Sequence, residues 1–201
     1  MLSIVDGAHG PGQVELDLPS IGCDVYAGNL HKWVCSPRGS AFVWATSDAQ
    51  RWIRGPVVSW EWSWSGPEAF QGRFGWGGTT DPTALLSVPS ALRFQREHGW
   101  PAVRRRCRAL ALASMASLEA EVGAVPIAAP AMRAPQMVSF SIPHRDPEAV
   151  RRRLWERHRI EIPGETFCDL SVLRLSVQAY TRESDIDRLV DALRQVGRRR
   201  P

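Results

Sequence analysis

Toward the N-terminus the apolar positions come in short runs punctuated by glycine and proline, which is a strand pattern rather than a helical one. Residues 2–5 form such a run into Asp6-Gly7, which fits a buried strand delivering Asp6 at its C-terminal end. Residues 24–27 and 40–44 read as two more strands, with Ser36-Pro37-Arg38-Gly39 as the turn between them. That places Asn29-Leu30-His31-Lys32-Trp33 in a loop at a strand end, where a sheet presents chemical groups. Trp60, Trp62 and Trp64 alternate, so an extended backbone would put the three rings on one face, open to a pocket wall, a subunit interface or a shielded sheet edge. The pattern then changes period. Gly77-Gly78-Thr79-Thr80-Asp81-Pro82 is a glycine loop entering a helix, with Thr80 or Asp81 as N-cap and Pro82 as first helical residue. Leu85, Val88, Ala91 and Leu92 give that helix its predicted buried face. A second helix is expected over 102–121, its apolar positions Val103, Leu110, Leu112 and Met115 alternating with arginines that can run along the core edge. Further on, strands over 137–142, 160–162 and 172–177 alternate with helices over 147–158 and 184–196, a small α+β unit.

Residues 123–135, rich in alanine and proline, are the best boundary, giving expected domains 1–123 and 124–201. With 201 residues and 44% hydrophobic content the chain has enough material for one or two cores. No apolar run is long enough to span a membrane, and an acid already at Asp6 argues against a signal peptide, so a cytoplasmic location is expected. Cys23, Cys35, Cys107 and Cys168 are widely spaced and have no histidine at ligand spacing, so neither a disulfide framework nor a metal site is expected. The net charge of +4 is concentrated in arginine runs at 104–106, 151–153 and 198–200, which read as solvated helix faces rather than a nucleic-acid footprint.

Charge counting has a sharper result. Of the 25 basic residues only Lys32 is lysine. Arginine is effectively never deprotonated and cannot act as a nucleophilic amine, so any such chemistry falls to Lys32. Arg174 is the other unusual charge, set in the otherwise apolar run 172–177. A buried arginine there needs an anionic partner; an edge-strand arginine facing water is the alternative.

Val5-Asp6-Gly7-Ala8-His9, the stretch from Gly28 to Trp33, the stretch from Trp76 to Thr83, and Arg174-Leu175-Ser176 occur in an order that resembles the pyridoxal-phosphate enzymes of the class V aminotransferase family, nearest its isopenicillin N epimerase-like branch. The resemblance runs over nearly the whole chain and implies an α/β fold. This would be the C-terminal part of an aspartate aminotransferase-like large domain, followed by a small α+β domain. It implies pyridoxal 5'-phosphate as cofactor, with Lys32 as the Schiff-base amine and Asp6 against the pyridine nitrogen, so that the ring can take up the electron pair left at the substrate Cα. It places His9 near the phenolic oxygen, where relatives often carry glutamine. His31 and Asn29 would reach the phosphate, although serine is commoner at the Asn29 position. Thr79 would reach the phosphate of the neighbouring subunit, which implies a homodimer. Arg174 would take the substrate carboxylate.

Three activities follow from the resemblance: Cα epimerisation of an amino acid with Lys32 as one base and the other unassigned, carbon–sulfur lysis, or transamination. Cysteine desulfurases of the same family need a mobile nucleophilic cysteine, and Cys168, six residues before Arg174, is too close to serve. Family members are considerably longer, and their preceding half holds the first large-domain strands, part of the phosphate cup and the ring-stacking residue. A truncated or split enzyme needing a partner chain, or a non-catalytic fragment that binds one, is therefore the reading of another class. An exposed, unpaired sheet edge is expected with it.

Overall fold

The computed structural model describes residues 1–63, 65–66, 68–75, 77–142 and 146–197. Trp64 and Trp76, which the tryptophan and glycine-loop readings include, lie outside them. The chain forms two compact units, residues 1–98 and 99–201.

The first unit is built on a three-stranded sheet of β1 (Ile4–Asp6), β2 (Val25–Asn29) and β3 (Ala41–Ala45), in the order β1-β2-β3. β1 runs parallel to β2 and β3 antiparallel to it, with Asp6 beside Ala27 and Asn29 beside Ala41. Short helices α1 (Leu18–Ile21), α2 (Ser47–Gln50), α3 (Ala69–Gly75) and α4 (Thr83–Leu86) precede the longer α5 (Val88–Glu97). Val25, Ala45, Ala49 and Phe70 form the unit's small apolar cluster.

The second unit begins with α6 (Trp100–Val122). A four-stranded antiparallel sheet follows, of β4 (Val125–Pro126), β5 (Met137–Ser141), β6 (Gly164–Phe167) and β7 (Leu170–Ser176), ordered β4-β5-β7-β6. Helices α7 (Pro147–His158) and α8 (Glu183–Gly197) complete it. Leu118, Phe140, Leu154, Leu173 and Leu193 are all fully buried and share one core. The contact division at 98/99 puts α6 in this unit, because its face of Cys107, Leu110, Ala111, Met115 and Leu118 belongs to that core. The compositional boundary at 123 falls at the end of this helix, where Gly123 takes a left-handed φ of 66°.

Several expectations are corrected. β1 is not buried: Ile4 is 66% exposed and Asp6 is exposed, because β1 is an edge strand with β2 on one side. The tryptophan segment is not extended; Trp60–Ser63 is a 3₁₀ helix, which turns alternate side chains away from each other, and Trp60 is almost fully exposed. Leu85 and Leu92 point to solvent, and the buried residue of α5 is Gln95. Pro82 stands at the N-cap of α4 rather than inside it, while Asp81 accepts hydrogen bonds from the backbone and hydroxyl of Thr83. Residues 160–162 are not a strand. Extended pairing begins at Gly164, where the chain meets Leu173 of β7.

Candidate active site

In the first unit the loops after β1 and β2 bring His9, Lys32 and Trp33 together. β1 and β2 are parallel, so their C-terminal ends emerge on the same side of the sheet. The ladder continues one step past β1, where Gly7 N–H donates to Ala27 O at 2.8 Å. The chain then folds tightly, with Gly10 N–H donating to Gly7 O at 2.8 Å and the Gln13 amide to His9 O at 2.9 Å. Glycine is required at two points. A Cβ on Gly7 would fall 1.9 Å from the buried Tyr26 ring, and one on Gly12 would fall 2.4 Å from the Trp33 carbonyl, at a φ of +86° that L-residues rarely adopt. The Tyr26 hydroxyl donates to Gly7 O at 3.2 Å. Burial, with smaller contributions from Cys23 and Asp6, pushes this hydroxyl above its usual pKa and keeps it a donor.

The second loop is pinned at Ser40, whose carbonyl accepts from Leu30 N–H, His31 N–H and His31 Nδ1 at 3.0, 3.3 and 2.9 Å. A carbonyl only accepts, so His31 carries its hydrogen on Nδ1 and turns Nε2 elsewhere. Ser36 N–H closes the loop on Leu30 O at 3.1 Å, and the amide of the buried Gln95 holds Trp33 O at 3.0 Å. Lys32 is thereby presented half-buried, its Nζ 3.2 Å from His9 Nε2. The Trp33 indole N–H donates to His9 Nδ1 at 3.1 Å.

Asp6 Oδ1 accepts from Ala8 N–H at 3.0 Å, at the C-terminal end of β1. Half-buried Asn29 ends β2. Thr79 is exposed in the bend before α4 and takes no part in the His9–Lys32–Trp33 contacts.

Arg174 belongs to the second unit. It lies on β7, paired with Ser139 of β5, and β7 is an inner strand with β6 on its other side, so the edge-strand alternative does not hold. Its Nε is buried and, among the described residues, has no hydrogen-bond partner, beside a groove lined by Ser139, Arg151, Gly164 and Glu165. A guanidinium nitrogen in that state calls for an acceptor. Cys168 and Asp169, with φ of 46° and 63°, form the two-residue turn joining β6 to β7, closed by the Phe167–Leu170 pair. A nucleophile pinned in such a turn has no loop to travel on.

A family model described as Aminotransferase class-V matches residues 1–189. The chain belongs to that family. Isopenicillin N epimerase of Amycolatopsis lactamdurans is 35% identical over 212 residues, covering 98% of this chain and 53% of that protein. A probable chloroplastic L-cysteine desulfhydrase of Arabidopsis thaliana is 30% identical over 209 residues, covering 94% of this chain and 43% of that protein. Among solved structures, an apo cysteine desulfurase from Thermococcus onnurineus NA1 superimposes with a TM-score of 0.81 at 17% identity, covering 97% of this chain and 52% of that one. At that identity the likeness bears on the fold, and the α/β architecture implied by the resemblance is borne out. So is the family expectation, and with it pyridoxal phosphate as the cofactor of this family. The chain spans about half the length of the curated relatives it matches.

The residues present fit such a group. At one end of the β1–β2 pair an amine meets an imidazole, a second imidazole lies next to the amine in sequence, and a carboxylate ends β1; the amine is the chain's one lysine. Sequence reasoning selected the amine and the carboxylate. It missed the indole of Trp33, the clamp from Gln95 and the Tyr26 strut, because each works through a distance between segments that no spacing along the chain reports.

Proposed function

We propose that this chain is the lysine-bearing, C-terminal half of a pyridoxal-phosphate enzyme acting at the Cα of an amino acid, most like isopenicillin N epimerase. One observation carries the reading: the chain's single lysine lies 3.2 Å from His9 at the end of the strand pair that also presents Asp6. When bound, the cofactor supplies an electron sink for the pair left at Cα. Asp6, one oxygen of which accepts from Ala8 N–H, would stand against the ring nitrogen and hold a proton there. Lys32 would hold the cofactor through its Nζ and would serve as the base that removes or returns the Cα proton on one face. His31, whose Nδ1 is tied to Ser40, would meet the phosphate through Nε2, with Asn29 beside it, as the family resemblance implies. Thr79 would serve the phosphate of a second subunit in a homodimer. Arg174 would take the substrate carboxylate, as the family resemblance implies; its buried Nε has no hydrogen-bond partner among the described residues.

Carbon–sulfur lysis is the second reading, favoured by the 30% identity to the desulfhydrase. In that reaction the same residues would serve, and a β-substituent would leave where epimerisation returns a proton to Cα. Incubating the chain and pyridoxal phosphate with amino acids, alone and co-expressed with the N-terminal half of the epimerase relative, separates the readings. Inverted chirality without keto acid supports epimerisation; keto acid with sulfide supports the lyase. No turnover in either arrangement would overturn the catalytic proposal in favour of a non-catalytic fragment that binds a partner.

A further inference from the structure

We propose that Trp33 is a positioning residue that fixes the tautomer of His9 and so directs a hydrogen bond into Lys32. The inference rests on the reading of Lys32 as the reacting amine, and it is carried by the donor chemistry of three side chains. An indole nitrogen can only donate. At 3.1 Å the Trp33 N–H points into His9 Nδ1, so Nδ1 accepts and the neutral imidazole carries its hydrogen on Nε2. That hydrogen faces Lys32 Nζ at 3.2 Å. An ammonium has three donors and no acceptor, and would set hydrogen against hydrogen. The chain of contacts is therefore satisfied in one direction, indole to imidazole to unprotonated amine, and the unprotonated amine is the form that attacks a carbonyl. The opposite polarity needs the imidazole hydrogen on Nδ1, where the indole hydrogen already sits.

Trp33 is held for this task. It is 6% exposed, its carbonyl is fixed by Gln95 at 3.0 Å, and Gly12 packs against its backbone too closely to admit a side chain. Its place next to Lys32 in sequence keeps the indole and the amine on opposite nitrogens of one ring. A phenylalanine would fill much of the space and lose the donor.

Two measurements on the full chain without cofactor test this. Long-range proton–nitrogen correlation spectra of ¹⁵N-histidine-labelled protein, with His9 assigned through His9→Gln, report which ring nitrogen is protonated. The expected result is hydrogen on Nε2 in the wild type and loss of that preference in Trp33→Phe. The rate at which trinitrobenzenesulfonate labels Lys32, read by peptide mass spectrometry, is expected to fall about fivefold in Trp33→Phe, the size of one modest hydrogen bond. Hydrogen on Nδ1 of His9 in the wild type overturns the proposal, whether or not the variant folds. A folded variant that keeps both the tautomer and the labelling rate overturns it as well. Pyridoxal-phosphate binding is scored separately: an Nε2–H tautomer in a chain that does not take up the cofactor contradicts the proposed function and leaves the relay intact.

Discussion

Single residues carry most of the argument for the site, and their contacts are testable one at a time. Gly12→Ala would force a Cβ onto the Trp33 carbonyl and strain a left-handed backbone. It is expected to move Trp33 and weaken cofactor uptake by at least tenfold, measured by absorbance titration. Asp24 and Ser3 exchange hydrogen bonds that dock the start of the chain on β2: Asp24 accepts from Ser3 N–H and Oγ at 2.8 Å each and donates its own N–H back at 3.0 Å. These bonds hold the Asp24 carboxyl below its ordinary value of 3.8, chiefly through the backbone N–H of Ser3. A lowered folded-state value means stability that is complete above the unfolded value and lost as pH falls through the folded one. Melting temperature is therefore expected to drop below about pH 4, and less steeply in Asp24→Asn. At this scale the sequence spoke through scarcity: one lysine among 25 basic residues marks itself. Trp33, one of nine tryptophans, does not, because its importance lies in which atom its N–H meets.

Elements were readable where a single physical signal governs them. Helix α7 spans Pro147–His158 as expected, since Asp146 caps it by accepting from Glu148 N–H at 3.0 Å, Pro147 fits the first position, and Arg159 ends it in a left-handed conformation. Strand β6 was misplaced because the apolar Ile160 and Ile162 precede the pairing rather than form it; Ile162 is buried while β6 itself is largely exposed. The helical face through Leu85 and Leu92 failed for a related reason. Periodicity shows that an apolar face exists, and the partner that covers it need not lie in the same chain. The core of the second unit gives the clearest stability contrast. Phe140→Ala is expected to cost about 3–5 kcal/mol in urea unfolding, since Phe140 is fully buried. Leu112→Ala, on the outer face of α6 and 51% exposed, should cost no more than about 0.5 kcal/mol.

For the whole molecule, half-length and exposure agree. Ile4 on β1, with Leu85, Leu86 and Phe94 on α4 and α5, leaves apolar surface exposed in a chain that spans about half of its curated relatives. Association is expected from such a surface, and sedimentation of the purified chain should show oligomers or self-association in the micromolar range rather than a monomer. Thiol mapping gives an independent check on the two units. Iodoacetamide should modify the exposed Cys168 and, more slowly because desolvation pushes its thiol up, the exposed Cys35, and spare buried Cys23 and Cys107 until the chain is denatured. The central claim is that Lys32 is the amine that takes the cofactor. Borohydride reduction of the chain with pyridoxal phosphate, followed by peptide mapping, tests it most directly. The account predicts a phosphopyridoxyl group on the Lys32 peptide and none at that peptide in Lys32→Ala. An unmodified Lys32 peptide, with label confined to the N-terminal amine or absent, would contradict it.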